Sequence, residues 1–410
     1  MTDGTLLRQI TDYANRADPY PLYAELRRTP VAQQEDGPYV VSTYWEIHQL
    51  LHDPRVSSDA RNLDPRAAGA LPPEEDPGLP PSILRLDPPE HDRLRRMAMR
   101  PFGPPHTPRR IQNMHGELAQ IVSELIDGLR DRDQIDLVDN FSYPFPVTVI
   151  CRLLGIPRED ESRFHVWADI IAAGLDPDPA EDPTERRRVT REARTELGVY
   201  LSGLIEERRR SPGDDMLSAL ATGRGPDGQM SPLDVLSTAS LLLIAGHETT
   251  VNLITNGMLT LLRNPDTLKR LRDDPDLAVP LVEELLRYEP PVQLLPQRTT
   301  LADIDIGGTT IPQGASLWLV LASGNRDPQR FRDPDRFVPD REDNQHLGFG
   351  SGIHNCFGAP LARMEAQLAL TELARRLDSP RLVEDPPPYR QNAVLRGPRH
   401  LPIAFNGITG

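Results

Sequence analysis

The segment HLGFGSGIHNCFGAP, residues 346–360, sets Cys356 behind a run of glycines and ahead of a helical pattern. Gly350 and Gly352 permit backbone angles closed to other residues, so the chain can wrap tightly near the sulfur. Gly358 removes a side chain where something flat could approach closely. From Ala359, Leu361 and Ala362 onward the apolar periodicity predicts a helix with Cys356 at its N-terminal end. The helix dipole and free N–H groups there lower a thiol pKa and favour thiolate. Taken alone, such a cysteine could be a nucleophile, a redox sensor, a metal ligand or a buried structural residue.

Working outward, composition narrows the setting. The chain has 410 residues, 38% apolar and 26% charged, which describes an ordinary globular protein with material for a large core. A net charge of -15 and a pI near 5.2 argue against broad nucleic-acid or anionic-membrane binding. The second cysteine, Cys151, lies in the apolar run VTVICRLLG and reads as a core residue. Two such cysteines make no disulfide framework, so a reducing cytoplasm is the expected location. The first thirty residues hold no apolar signal core. The most apolar stretch, LSTASLLLIAGHETTVNLI, is interrupted by His247 and Glu248 and makes a poor membrane span.

Helical periodicity covers most of the chain, including about Pro108 to Leu129, Ser162 to Ala173 and Thr184 to Arg210. The clearest helix starts at Ser231-Pro232-Leu233-Asp234, with Ser231 as N-cap, and stops at Asn264-Pro265. That is roughly 32 residues, or about 48 Å. It is apolar nearly all round and is expected at the centre of the molecule. Strand signals lie in PYVVST and in residues 302–322, the latter a hairpin turning at Gly307-Gly308 followed by a further strand. Proline-rich loops occupy Pro65 to Pro89, Asp176 to Pro183 and Asp385 to Pro388. The fold class expected is mainly α with a small β subdomain, as one catalytic domain over residues 1–410 with β-rich segments near 31–44, 302–322 and 381–405.

Phe349-Gly350-x-Gly352-x-His354-x-Cys356-x-Gly358 resembles the haem-ligand signature of the cytochrome P-450 family. The resemblance implies the cytochrome P-450 fold, with haem b between the long central helix and the cysteine loop and helix. It makes Cys356 the iron's thiolate ligand, with Phe349, Gly350, His354 and Gly358 beside the cofactor. Three further motifs stand in the right order. Ala245-Gly246-His247-Glu248-Thr249-Thr250 resembles the oxygen-activation motif: Ala245 and Gly246 leave space, the Thr249 hydroxyl admits water, and Glu248 relays protons. A zinc-protease reading of His247-Glu248 fails because position 251 is valine. Glu284-x-x-Arg287 sits at helical pairing distance and resembles the family's buried structural ion pair, followed by Asn325-Arg326-Asp327-Pro328 and Phe337-x-x-x-Arg341. His91, Arg95, Arg298 and His354 take the positions that the family uses for haem propionates.

The resemblance implies a monooxygenase using dioxygen and electrons from a separate ferredoxin and NAD(P)H-dependent reductase, since no flavin or iron–sulfur segment follows the cysteine helix. Arg96, Arg100, Arg109 and Arg110 are candidates for the ferredoxin patch. By family position the substrate pocket draws on the Asn62 to Leu84 and Gly174 to Asp182 loops, Leu241, Ile244, Ala245, Leu294, Leu295, Val394 and Leu395. These aliphatic groups suit a bulky, largely apolar small molecule such as a polyketide or macrolide, terpenoid or steroid, in secondary metabolism. A monomer is expected. Two rivals keep the same cofactor: a peroxygenase or haem isomerase without ferredoxin, and a haem-binding sensor that does not turn over.

Overall fold

The computed structural model describes residues 3–34, 37–62, 82–102, 110–175 and 182–409. Contacts divide the chain into two compact units. One comprises residues 1–71, 123–142 and 249–410, and the other residues 72–122 and 143–248.

The first unit carries the sheets. Its five-stranded sheet runs in the order Val31–Gln33, Tyr39–Val41, Ser316–Leu319, Leu295–Thr300, Val56–Ser57. Tyr39–Val41 pairs in parallel with Leu317 to Leu319, while the remaining ladders are antiparallel. The register slips between Leu295 and Arg298, a local irregularity that re-aims side chains on one strand. Ile304–Ile306 and Thr309–Ile311 form the expected hairpin, with Gly307 and Gly308 both at positive φ, as a tight two-residue hairpin turn requires. Residues 134–136, where no strand was expected, pair with Pro402–Ala404.

Helix Tyr44–His52 packs on the five-stranded sheet because Tyr44, Ile47 and Leu50 recur on one face. The buried Asp327 carboxylate accepts from the Tyr44 N–H at 2.9 Å and so caps this helix. Helix Ala278–Tyr288 and helix Ala359–Arg376 belong to the same unit and pack against each other.

The second unit is built from helices, chiefly Glu90–Met99, Pro144–Leu154, Glu161–Leu175, Pro183–Arg210 and Met216–Thr222. Cys151 is fully buried here, and burial, helped by Glu161, pushes its thiol up to about 12. It is the inert core residue that its apolar setting suggested. The helix expected over 108–129 is two helices within the described residues, Arg110–Asn113 and His115–Asp127, parted at Met114 by a tight turn in which the Met114 N–H donates to the Ile111 carbonyl.

The long helix spans Pro232–Arg263, 32 residues, starting in the second unit and ending in the first. Ser231 and Asp234 cap it reciprocally: the Asp234 N–H donates to Ser231 Oγ and the Ser231 N–H to Asp234 Oδ2, each at 3.1 Å. Among the described residues no helix is long and apolar enough to cross a membrane.

Candidate active site

The cysteine turn is held by its own backbone. The Gly350 N–H donates to Leu347 at 2.8 Å and the Cys356 N–H to Phe349 at 2.9 Å, closing the loop on itself. Gly350 and Gly352 sit at φ of +67° and +68°. At Gly352 glycine is doubly required, since an added Cβ would lie 2.0 Å from the Leu51 carbonyl oxygen. The turn therefore lies directly on the last turn of helix Tyr44–His52. Cys356 is exposed, three residues ahead of the 18-residue helix Ala359–Arg376. A Cβ on Gly358 would come within 3.8 Å of the Cys356 sulfur, so glycine keeps that side of the thiol clear. His354 closes the short helical turn Gly352–His354, with both ring nitrogens shielded from solvent.

Behind the turn, Glu284 and Arg287 are each fully buried and form a bidentate pair with both bonds at 2.8 Å. Arg287 donates further to the carbonyls of Asn325, Pro334 and Arg336. Glu284 accepts from the Val338 N–H, Arg341 and Asn344. Asn325 then donates to the Leu286 carbonyl and accepts from the Leu347 N–H at 2.7 Å, which joins this hub to the start of the cysteine turn.

The long helix is buried from Val235 to Leu243 and again from Thr250 to Leu261, and only in part between. Ala245 is exposed and Ile244, Gly246 and Thr249 are half-buried, a small-residue window in an otherwise enclosed helix. His247 and Glu248 are buried within it, the His247 ring set edge-on to Tyr143 at 4.4 Å. In the same unit His91 is buried on helix Glu90–Met99, its Nδ1 2.8 Å from Asp92 Oδ1, with half-buried Arg95 one turn on. Arg298 is half-buried in the five-stranded sheet, opposite Leu317.

Of the pocket residues, Leu294, Leu295, Val394 and Leu395 meet through a Val292–Leu395 bridge and a bond from the Gln293 N–H to the Val394 carbonyl. Leu294 is fully enclosed, whereas Leu295, Val394 and Leu395 keep partial exposure. Leu241 is buried on the long helix. Residues 63–81 of the Asn62 to Leu84 loop and 176–181 of the Gly174 to Asp182 loop lie outside the described residues, as does Arg109.

The family model for cytochrome P-450 matches residues 60–281 and 276–405. The chain is 40% identical over 404 residues to the cytochrome P-450 monooxygenase PikC of Streptomyces venezuelae, covering 95% of this chain and 91% of that protein. It is 37% identical over 408 residues to 6-deoxyerythronolide B hydroxylase of Saccharopolyspora erythraea, covering 95% and 96%. The ligand-free crystal structure of Mycobacterium smegmatis CYP164A2 superposes with a TM-score of 0.85 at 41% identity, covering 98% of this chain and all of that one. This chain belongs to the cytochrome P-450 family.

Its activity is that of a cytochrome P-450 monooxygenase. The donor set fits the haem that the family carries. An exposed thiol precedes a helix N-terminus, two positive-φ glycines shape its loop, and Gly358 leaves the approach to sulfur open.

Sequence reasoning missed two side chains of this P-450 that act on the cysteine turn. Arg363 places its guanidinium 4.6 Å over the Phe349 ring and pairs with Glu283 at 2.6 and 2.8 Å. The bond to Glu283 raises the Arg363 pKa against desolvation, with a smaller contribution from Cys356. By the same attraction Arg363 favours the thiolate. His346 Nε2 donates to Glu283 at 3.1 Å while its Nδ1 accepts from the Gly348 N–H at 3.0 Å, which fixes the tautomer. One carboxylate thus positions both the platform under Phe349 and the entry to the turn. The only sequence signals were an acid beside the E-x-x-R glutamate and an arginine two turns after the cysteine.

Burial alone would raise the Glu283 carboxyl, but the bonds from Arg363 and His346 outweigh it and hold the pKa down at about 2. A depressed carboxyl stabilises the fold above its unfolded pKa and loses that contribution as pH falls toward the folded value. Wild type is therefore expected to lose thermal stability between pH 4.5 and about 2 more steeply than Glu283→Gln. Parallel melting curves of the two proteins across that window would count against this pairing.

Proposed function

We propose that this chain is a haem-thiolate monooxygenase, with Cys356 as iron ligand, that hydroxylates or epoxidises a bulky, largely apolar small molecule. The observation that carries the reading is the cysteine turn, with an exposed thiol held between positive-φ glycines and a helix N-terminus. Haem bound there supplies dioxygen binding and its reductive activation. His91, Arg95, Arg298 and His354 hold the propionates. Ala245 and Gly246 leave room beside the cofactor, and the aliphatic set Leu241, Ile244, Leu294, Leu295, Val394 and Leu395 selects an apolar substrate. The relative that hydroxylates 6-deoxyerythronolide B supports a macrolactone as the first class to test.

Thr249 and Glu248 move the protons. A half-buried hydroxyl next to a buried carboxylate can pass protons inward while admitting little water. Thr249→Ala is expected to cut product formation about tenfold or more while NAD(P)H oxidation continues and hydrogen peroxide accumulates. Unchanged product per NAD(P)H would remove Thr249 from the proton route.

Both compact units serve as one cytoplasmic catalytic domain, and the family match extends through each. Electrons come from a ferredoxin and an NAD(P)H-dependent reductase. Within the described part of the candidate patch, Arg96 is paired with Asp227 at 2.7 Å and Arg110 with Asp214 at 3.2 Å, which offsets part of its charge. Arg100 rests against Gly225. Turnover of macrolactones with ferredoxin, reductase and NADPH tests the whole reading. Turnover with hydrogen peroxide alone at equal rate would instead favour the peroxygenase.

A further inference from the structure

His48 and His52 stand four residues apart on helix Tyr44–His52, so both imidazoles lie on one face, one turn apart. Their ring centroids are 4.3 Å apart with the planes tilted by 34°. The His52 Nδ1 lies 2.8 Å from the His48 carbonyl, and only a protonated Nδ1 can donate to it. Its Nε2 is then an acceptor with a lone pair, and its neighbour is the Ser351 hydroxyl at 3.3 Å. His48 is half-buried between Tyr44, stacked at 6.0 Å, and the exposed Trp45 at 6.3 Å. Among the described residues no hydrogen bond occupies its ring nitrogens. Desolvation and the like charge of His52 lower the His48 pKa, which favours the neutral His48 ring.

Two neutral imidazoles one helical turn apart are the donor pair that zinc and copper ions take from helices. Histidine χ2 is a broad torsion, so both Nε2 atoms can turn toward one ion, at the expense for His52 of its Nδ1 contact with the His48 carbonyl. We propose that His48 and His52 bind a single divalent first-row transition ion, seated against the cysteine turn. The position has a consequence. Ser351 precedes Gly352, whose backbone lies against the Leu51 carbonyl. An ion on His52 Nε2 displaces the Ser351 hydroxyl and frees one tie between the helix and the turn that carries Cys356.

A second group in the same unit, Asp136, Asp139 and His400, also brings ligand atoms within 4.8 Å of one another. Most of its donors are already engaged. Asp136 Oδ1 accepts from the amides of Val138 and Leu401, Oδ2 lies 2.6 Å from His400 Nδ1, and Arg399 sits 3.4 Å from Asp139. A cation there would have to break these bonds and face a guanidinium.

The test is calorimetric titration of the haem-loaded protein with zinc chloride, in wild type, His48→Gln, His52→Gln, His400→Gln and Ser351→Ala. One ion per chain is expected in wild type. His48→Gln and His52→Gln should each weaken it by at least the roughly 10–100-fold that loss of even an outer-shell partner costs. His400→Gln should leave it unchanged, and Ser351→Ala should bind more tightly because no hydroxyl is displaced. Absence of a one-ion isotherm in wild type overturns the site, as does binding that survives both His48→Gln and His52→Gln or vanishes in His400→Gln. Weaker binding in Ser351→Ala would overturn the competition with the turn. All four substitutions lie at or near the surface, and circular dichroism of each confirms the fold before titration.

Discussion

Cys356→Ala is expected to fold and yet to lose entirely the strongly red-shifted Soret band that thiolate-ligated haem gives when reduced with dithionite under carbon monoxide. The substitution removes one exposed sulfur and keeps the bond that closes the loop, which is made by the backbone N–H of residue 356. Gly350 and Gly352 keep their positive φ, and helix Ala359–Arg376 keeps its start. The chain has no second thiol to substitute. Cys151 is fully buried in the other unit, and a thiol pushed up to about 12 does not ionise near neutral pH. Persistence of the band in Cys356→Ala would overturn the ligand assignment and, with it, the roles given to Phe349, His354 and Gly358. Loss of the band with haem still bound would isolate the thiolate from the remaining cofactor contacts.

What could be read from the sequence was what neighbouring residues decide between themselves. The long helix announces its start through Ser231 and Asp234 and its end through Asn264-Pro265, and the structure places it at Pro232–Arg263. The Gly307-Gly308 hairpin is equally local. Glu284 and Arg287 are three apart on one helix, so their pairing was legible, but its bonds to Asn325, Pro334, Arg336 and Val338 were not. Those join a helix to an irregular segment whose path no periodicity records. The same holds for Asp327 capping the helix at Tyr44, 283 residues away in sequence, and for Glu283 gathering His346 and Arg363. Residues 134–136 escaped because three residues are too few to show alternation, and their partner strand lies at Pro402–Ala404. Motif residues were therefore nameable, while the groups that hold them in place needed the tertiary structure.

Glu284→Leu and Arg287→Leu are each expected to destabilise the protein by about 3–5 kcal/mol and to release haem, because each breaks a fully buried ion pair by removing one partner. Arg287 is fully buried, and desolvation already lowers its pKa against the attraction of Glu284. Without Glu284 the guanidinium keeps the three carbonyls and the Phe331 ring at 5.3 Å but no carboxylate bond among the described residues. Without Arg287, Glu284 keeps Arg341 and Asn344, but the carbonyls of Asn325 and Pro334 lose the Arg287 donor and that of Arg336 is left to Arg341. Replacing a simple buried pair by two apolar residues is often neutral. Here the double variant should not recover, since the Val338 N–H and the Asn325 and Pro334 carbonyls lose these partners whichever apolar pair is chosen. A double-mutant cycle by urea denaturation, followed at the Soret band and by circular dichroism, measures this directly. The exposed pair Lys269–Asp273, with side chains 74% and 59% accessible, is the control, and its removal should cost under about 1 kcal/mol. Full recovery in the double variant would mean that the pair satisfies only itself. Failure to recover would identify Glu284 and Arg287 as the junction through which helix Ala278–Tyr288 fixes the segment leading to Leu347 and the cysteine turn.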